Sequence, residues 1–293
     1  MTELFYGALE NCRLSLRDSF FYLKSKALIK RNENLVICNS FPKSGTHLLM
    51  DVVSKMNGLC KWNGIISIQS NSGRMNTLNH IKYKYQSVKY GNLIRSHLSY
   101  SDEIKSILES RKHKRFFIYR DPRSVVCSHA NWLLNEPLNY LHDYYKNTLI
   151  TFEERINCSI LGKPIGIPFG SNISLIPFSD CFNMYKQWIF DENTFSVKFE
   201  DLVGVRGGGC EHKRFKTIKA MYDFLEIEID EKTIKKLHDS LKSNTNQSHT
   251  FRKGQGGKIS TWKNKFTPLN KIIFKENLGD LLIELGYEND YNW

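Results

Sequence analysis

The sequence contains no C-x-x-C pair, and its seven cysteines (Cys12, Cys38, Cys60, Cys127, Cys158, Cys181, Cys210) are odd in number and widely spaced. That pattern excludes a disulfide framework and a zinc ribbon and suits a reducing, cytoplasmic compartment. No stretch approaches the roughly 20 apolar residues that cross a bilayer, so no membrane span is expected. Residues Met1 to Arg31 carry charges throughout, with no uncharged apolar segment ahead of a cleavage site, so no secretory signal is read there. Proline (7) and glycine (18) are sparse in 293 residues, and repeats and low-complexity tracts are absent. Collagen, solenoid and disordered readings fall away.

At 41% hydrophobic and 25% charged residues, the chain can bury a sizeable core. Its 42 Lys+Arg against 30 Asp+Glu give a net charge of +12. A plain basic surface, a nucleic acid or a multiply phosphorylated cofactor each accounts for that balance. The cation clusters are short (residues 111–115 and Lys213-Arg214), and no aromatic RNA-binding motif, Cys/His finger or heptad array accompanies them.

Residues Asn34 to Ser40 form an apolar, β-leaning run that breaks at Phe41-Pro42 and resumes with helical spacing through Leu48, Leu49, Val52, Val53 and Met56. Further strands are expected at Leu93 to Ser96, Arg115 to Tyr119 and Thr194 to Phe199. Helices are expected over Val125 to Leu133, Phe215 to Leu225, Glu231 to Leu241 and Leu278 to Leu285. Strands alternating with helices imply an α/β domain with a mainly parallel sheet, whose ligands sit at the strands' carboxyl ends. Residues 34–293 are expected to form that domain, with residues 1–33 an N-terminal helical segment packing on it. Asn135 to Phe178, with Pro137, Pro164, Pro168 and Pro177, is expected to be irregular and to line or cover the ligand site. Tyr140, Tyr144, Tyr145 and Phe169 there are either pocket or core.

Between the first strand and helix, Lys43-Ser44-Gly45-Thr46-His47 forms an anion cradle, a glycine turn running into a helix N-terminus. A nucleoside triphosphate loop needs a lysine after the glycine and an earlier glycine; here the lysine precedes Gly45 by two and position 40 is Ser. A second element, Arg120-Asp121-Pro122 through Ser128, places a guanidinium at a strand tip and a hydroxyl two turns along a helix. A third, Phe251-Arg252-Lys253-Gly254-Gln255-Gly256-Gly257, joins adjacent cations to a glycine-rich loop. Ordinary polar turns and a solvated basic loop remain the plain alternatives for each segment alone.

Taken in order, these elements, with Phe199-Glu200-Asp201 and the Trp262-Lys263-Asn264 continuation, resemble the signature set of sulfotransferases that use 3'-phosphoadenosine 5'-phosphosulfate (PAPS), especially the cytosolic type. The resemblance implies a single α/β domain with a central mainly parallel sheet flanked by helices, P-loop-like and related to nucleotide kinases. It implies transfer of a sulfuryl group to a hydroxyl or amine of a small-molecule acceptor, without a metal, releasing 3'-phosphoadenosine 5'-phosphate (PAP). By similarity, Lys43 assists the leaving oxygen, while Ser44, Gly45, Thr46 and His47 hold the 5'-phosphate. Arg120, Ser128, Arg252, Lys253 and Gly254 hold the 3'-phosphate, with Thr250 and Phe251 beside them. Leu93-Ile94-Arg95-Ser96-His97-Leu98 resembles the family's Lys-Thr-His-Leu element, which makes His97 the general base and Arg95 a sulfuryl contact.

The sequence also departs from the pattern. The tryptophan that commonly stacks on adenine is Leu48, and the usual tyrosine before Glu-Asp is Phe199; both positions are expected to face the cofactor. The dimer motif survives only as Lys263 and Thr267, so a monomer or weak dimer is expected. A kinase with a variant phosphate loop and a basic nucleic-acid-binding protein are the alternatives.

Overall fold

The first expected strand is β1 (Leu35–Ser40), and every one of its residues is buried. The computed structural model describes residues 35–56, 59–70, 73–162, 175–243 and 258–293. The helical segment expected over residues 1–33 lies outside them. β1 reads as a continuous apolar run because helices cover both faces of its sheet. It lies between β3 (Asn92–His97) and β4 (His113–Tyr119), with β2 (Cys60–Ser67) outside β3 and β5 (Thr194–Lys198) outside β4. All pairings are parallel.

The described helices are α1 (Thr46–Val53), α2 (Leu78–Ser87), α3 (Asp102–Glu109), α4 (Pro122–Leu133), α5 (Phe152–Leu161), α6 (Phe178–Phe190), α7 (Phe199–Leu202), α8 (Glu211–Phe224), α9 (Glu231–Ser243) and α10 (Pro268–Glu284). Val36, Cys38, Phe116 and Ile118 pack on one sheet face with α1, α8 and α9. Leu35, Ile37, Phe117 and Tyr119 pack on the other with α2 to α6 and α10. Phe116 and Phe117 are both fully buried, and each such side chain contributes roughly 1.5–3 kcal/mol through burial. Because the chain leaves β1 for β3 on one side and reaches β4 on the other, a crevice opens at the carboxyl ends of these three strands.

Some sequence expectations need correction. Asn135 to Phe178 is not wholly irregular: it contains a π-helical turn (Tyr144–Thr148) and α5, which begins with a Thr151/Glu154 capping box. Tyr145 is fully buried and belongs to the core. The fifth strand ends at Lys198, and Phe199 opens the short helix α7. β2 escaped notice because its register shifts between Lys61 and Ile65, which erases the alternation a strand normally carries.

The basic cluster at residues 111–115 is dispersed. Arg115 is fully buried, donates to Asp191 Oδ1 and Thr194 Oγ1 at 2.7 Å each, and lies 4.2 Å over the Trp188 ring. Arg111 stacks 4.6 Å from the Tyr90 ring, and Lys114 pairs with Glu226. All six described cysteines are free thiols. No described helix is long and apolar enough to cross a membrane.

Candidate functional site

Polar groups cluster where β1 and β3 end. Asn39 is buried and stitches the two strands: its Nδ2 donates to Leu98 O at 2.9 Å, and its Oδ1 accepts from Leu98 N at 2.9 Å and Ser96 Oγ at 3.0 Å. Trp188 Nε1 donates to the same Leu98 carbonyl at 2.9 Å. His97, between Ser96 and Leu98, is thereby held by its own backbone.

The His97 ring meets Ser40. Its Nδ1 lies 3.1 Å from the Ser40 carbonyl oxygen and 3.0 Å from Ser40 Oγ, which is itself 2.7 Å from Thr46 Oγ1. A carbonyl oxygen only accepts, so these partners assign the proton to Nδ1 and leave the Nε2 lone pair free. Burial pushes His97 down to about 4; the Ser40 hydrogen bond opposes this, and the Arg95 and Lys43 charges reinforce it. The ring is neutral at pH 7.

Lys43 and Gly45 both have positive φ, 68° and 108°. α1 then begins at Thr46 with no side-chain cap, leaving its first N–H groups for a ligand. Burial lowers Lys43 to about 8, with Glu136 opposing and Arg120 adding to the shift. Its ammonium rests 4.6 Å over the Trp132 ring. Ser44 Oγ is buried without a hydrogen-bond partner among the described residues.

Arg120, at the tip of β4, is 3% exposed and lies 4.4 Å over the Phe199 ring. It donates to the Lys258 carbonyl at 2.7 Å, yet its Nε has no hydrogen-bond partner among the described residues. Burial lowers its pKa, and Glu200 and Asp121 oppose that. Orphaned buried donors cost about 1–3 kcal/mol each, and a bound anion is one ligand whose acceptors relieve that cost.

Half-buried Glu200 fixes the start of α4, accepting Asp121 N at 3.1 Å and the Tyr287 hydroxyl at 2.9 Å. Burial raises its pKa, and the Asp121 N–H opposes that. Asp121 caps α4 and pairs with Arg123, whose guanidinium is held between the Trp262 and Trp293 rings at 4.0 and 4.5 Å.

The structure therefore gathers Lys43, Ser44, Gly45, Thr46, His97, Arg120 and Phe199 around one crevice. Arg95 sits on the same strand face as His97, in register with Cys38, and burial lowers its pKa. Ser128 is part-buried on α4. His47 is exposed on the first turn of α1, while Leu48 is 7% exposed and packs in the same apolar cluster as Phe199. Thr250, Phe251, Arg252, Lys253 and Gly254 lie outside the described residues.

The fold recurs in solved structures. Mouse sulfotransferase SULT7A1 complexed with PAP superposes with a TM-score of 0.59 at 17% identity, covering 89% of this chain and 95% of that one. Retinol dehydratase in a complex with retinol and PAP gives 0.52 at 15% identity, covering 89% and 86%. The chain has a sulfotransferase fold. No family model and no curated protein matches the sequence.

Within this sulfotransferase fold, sequence reasoning missed several contributors. His129 has no role in the motif reading, yet burial and the Lys43 charge push it down to about 4. Its Nδ1 lies 3.0 Å from Ser159 Oγ, which is 2.9 Å from the Tyr145 hydroxyl. Asn39, Ser40 and Tyr287 were missed as well. The polar pair Asn39-Ser40 ending an otherwise apolar strand was the available signal.

Proposed function

We propose that the chain transfers a sulfuryl group from PAPS to a hydroxyl or amine of a small-molecule acceptor. The carrying observation is the junction of the Lys43 loop with a neutral, tautomer-fixed His97 in a crevice that orphans Ser44 Oγ and Arg120 Nε. Both solved neighbours of this fold were complexed with PAP, which supports the cofactor.

The residues present fit such a donor. Gly45 gives a backbone approach that a side chain forbids, since a Cβ there meets Phe199 Cδ2 at 2.5 Å. Ser44, Gly45, Thr46 and the first turn of α1 hold one phosphate, with His47 at the rim. Arg120 and Ser128, with Thr250, Phe251, Arg252, Lys253 and Gly254, hold the second. PAPS supplies an activated sulfuryl group on a phosphosulfate anhydride.

His97 Nε2 accepts the proton that the acceptor hydroxyl loses on attack. Lys43 and Arg95 stabilise the negative charge that develops across the transferring group and the leaving oxygen. Those two cations also lower His97, so an anion in the loop offsets their repulsion and raises His97 toward the working pH.

Calorimetric titration with PAP, AMP and ATP at two salt concentrations tests the reading. Metal-independent binding of PAP in preference to AMP is expected. Preference for ATP with magnesium points to a kinase and overturns it. Binding of polynucleotide that falls steeply with salt and ignores the 3'-phosphate does so as well.

A further inference from the structure

Ser40 is not among the residues that the motif resemblance assigns a role, yet its hydroxyl stands between the phosphate loop and the candidate base. It lies 2.7 Å from Thr46 Oγ1 on one side and 3.0 Å from His97 Nδ1 on the other. Ser40 and Thr46 are 0% and 6% exposed, so bulk water does not compete for these bonds.

Counting protons fixes the direction of this chain. The Ser40 carbonyl, 3.1 Å from Nδ1, can only accept, so Nδ1 carries a proton and shares it between the carbonyl and Oγ. Ser40 Oγ then has its own proton left for Thr46. Thr46, accepting that bond, keeps its hydroxyl proton for whatever lies in the loop. The reverse order has two faults. Ser40 Oγ would donate to an unprotonated Nδ1, setting a lone pair against the carbonyl oxygen. Thr46 would also spend its proton on Ser40 and turn only lone pairs toward an anion.

We infer that Ser40 is a positioning residue whose hydroxyl couples anion binding at the Lys43–Thr46 loop to the tautomer of the His97 ring. An anion in the loop draws the Thr46 proton outward, Ser40 turns its proton to Thr46, and His97 commits its own proton to Nδ1. The Nδ1–H tautomer that the Ser40 carbonyl sets is thereby reinforced in the loaded state, and with it the Nε2 lone pair presented to the acceptor. This extends the proposed function, on which it rests, from naming the base to stating what orders it.

The test combines ring NMR with kinetics. In protein labelled with 15N-histidine, the wild-type His97 ring shows an Nδ1–H signal protected from solvent exchange, and PAP sharpens it. Ser40→Ala loses the sharpening and broadens the ligand-free signal. Its kcat falls on the order of tenfold while PAP affinity stays within about threefold, because the general base is still present but less ordered. Ser40→Thr restores the signal and the rate. Thr46→Val breaks the chain at its other end, giving the same spectral loss at saturating PAP and an independent check should Ser40→Ala fail to fold.

A Ser40→Ala protein with wild-type kcat and a wild-type His97 response overturns the coupling. Failure of the wild-type chain to bind PAP overturns the proposed function instead. The ligand-free spectra of wild type and Ser40→Ala then still decide the role of the hydroxyl: unchanged Nδ1–H exchange rejects it.

Discussion

A methyl group on Gly45 would meet the Phe199 ring at 2.5 Å. Residues more than 150 positions apart in the sequence, one from the phosphate loop and one from the Phe-Glu-Asp element, are thus in direct contact. Phe199 also carries Arg120 on its face, so one ring limits the loop on one side and supports a buried cation on the other.

Gly45→Ala is therefore doubly penalised, by the contact and by a φ of 108° that L side chains rarely adopt. A stability loss of about 1–3 kcal/mol is expected in urea denaturation, with a larger loss of PAP affinity. Adding Phe199→Leu relieves the contact but leaves the backbone strain, so the double variant recovers only part of the stability.

His97→Ala removes the proton acceptor while leaving Lys43, Ser44 and Arg120 in place. Turnover is lost, and calorimetry gives PAP affinity within about threefold of wild type, because removing a base need not remove binding energy. Normal turnover in this variant would take His97 out of the mechanism.

The pH profile of kcat/KM reports the free enzyme. Its acid limb is expected near 4, where His97 takes up a proton, and its alkaline limb near 8, where Lys43 loses one. Lys43→Arg moves the alkaline limb upward, since a guanidinium stays charged throughout.

Stability carries the same signature. His97 and His129 have folded values near 4 against an ordinary 6.5, so below pH 6.5 the unfolded chain binds protons that the folded chain refuses. Stability accordingly falls as pH drops from 6.5 to 4 and levels off below. The His97 share is on the order of 3 kcal/mol. His97→Asn flattens the slope in a denaturation series across that window.

Arg123→Ala leaves Asp121 buried without its bidentate partner and opens a gap between Trp262 and Trp293. A loss of about 3–5 kcal/mol is expected in chemical denaturation, as for breaking a buried ion pair from one side. Replacing an exposed cation such as Lys213, whose partner Asp201 is 3.4 Å away, costs less than about 1 kcal/mol.

Much of the central sheet was legible because strands buried on both faces leave unbroken apolar runs, as at Leu35 to Cys38 and Phe116 to Ile118. β2 was not, since its bulge and its edge position remove any pattern. The loop residues Lys43 to Thr46 could be placed because glycine, hydroxyls and a cation in that order imply a turn with a purpose. The links between motifs were not legible. Phe199 under Arg120, Asn39 between two strand ends and Glu200 holding Asp121 are long-range contacts that local spacing does not encode.

The order of the strands has a consequence for how the molecule is made. β1 is flanked by nothing until β3 pairs along one side and β4 along the other, so until residue 119 has been made it offers an apolar edge open to wrong partners. The strand that closes the second edge is the one whose tip bears Arg120. Covering β1 and delivering the buried cation are thus a single event, with β5 added to the sheet later, and nascent chains stalled before β4 are expected to be the aggregation-prone ones.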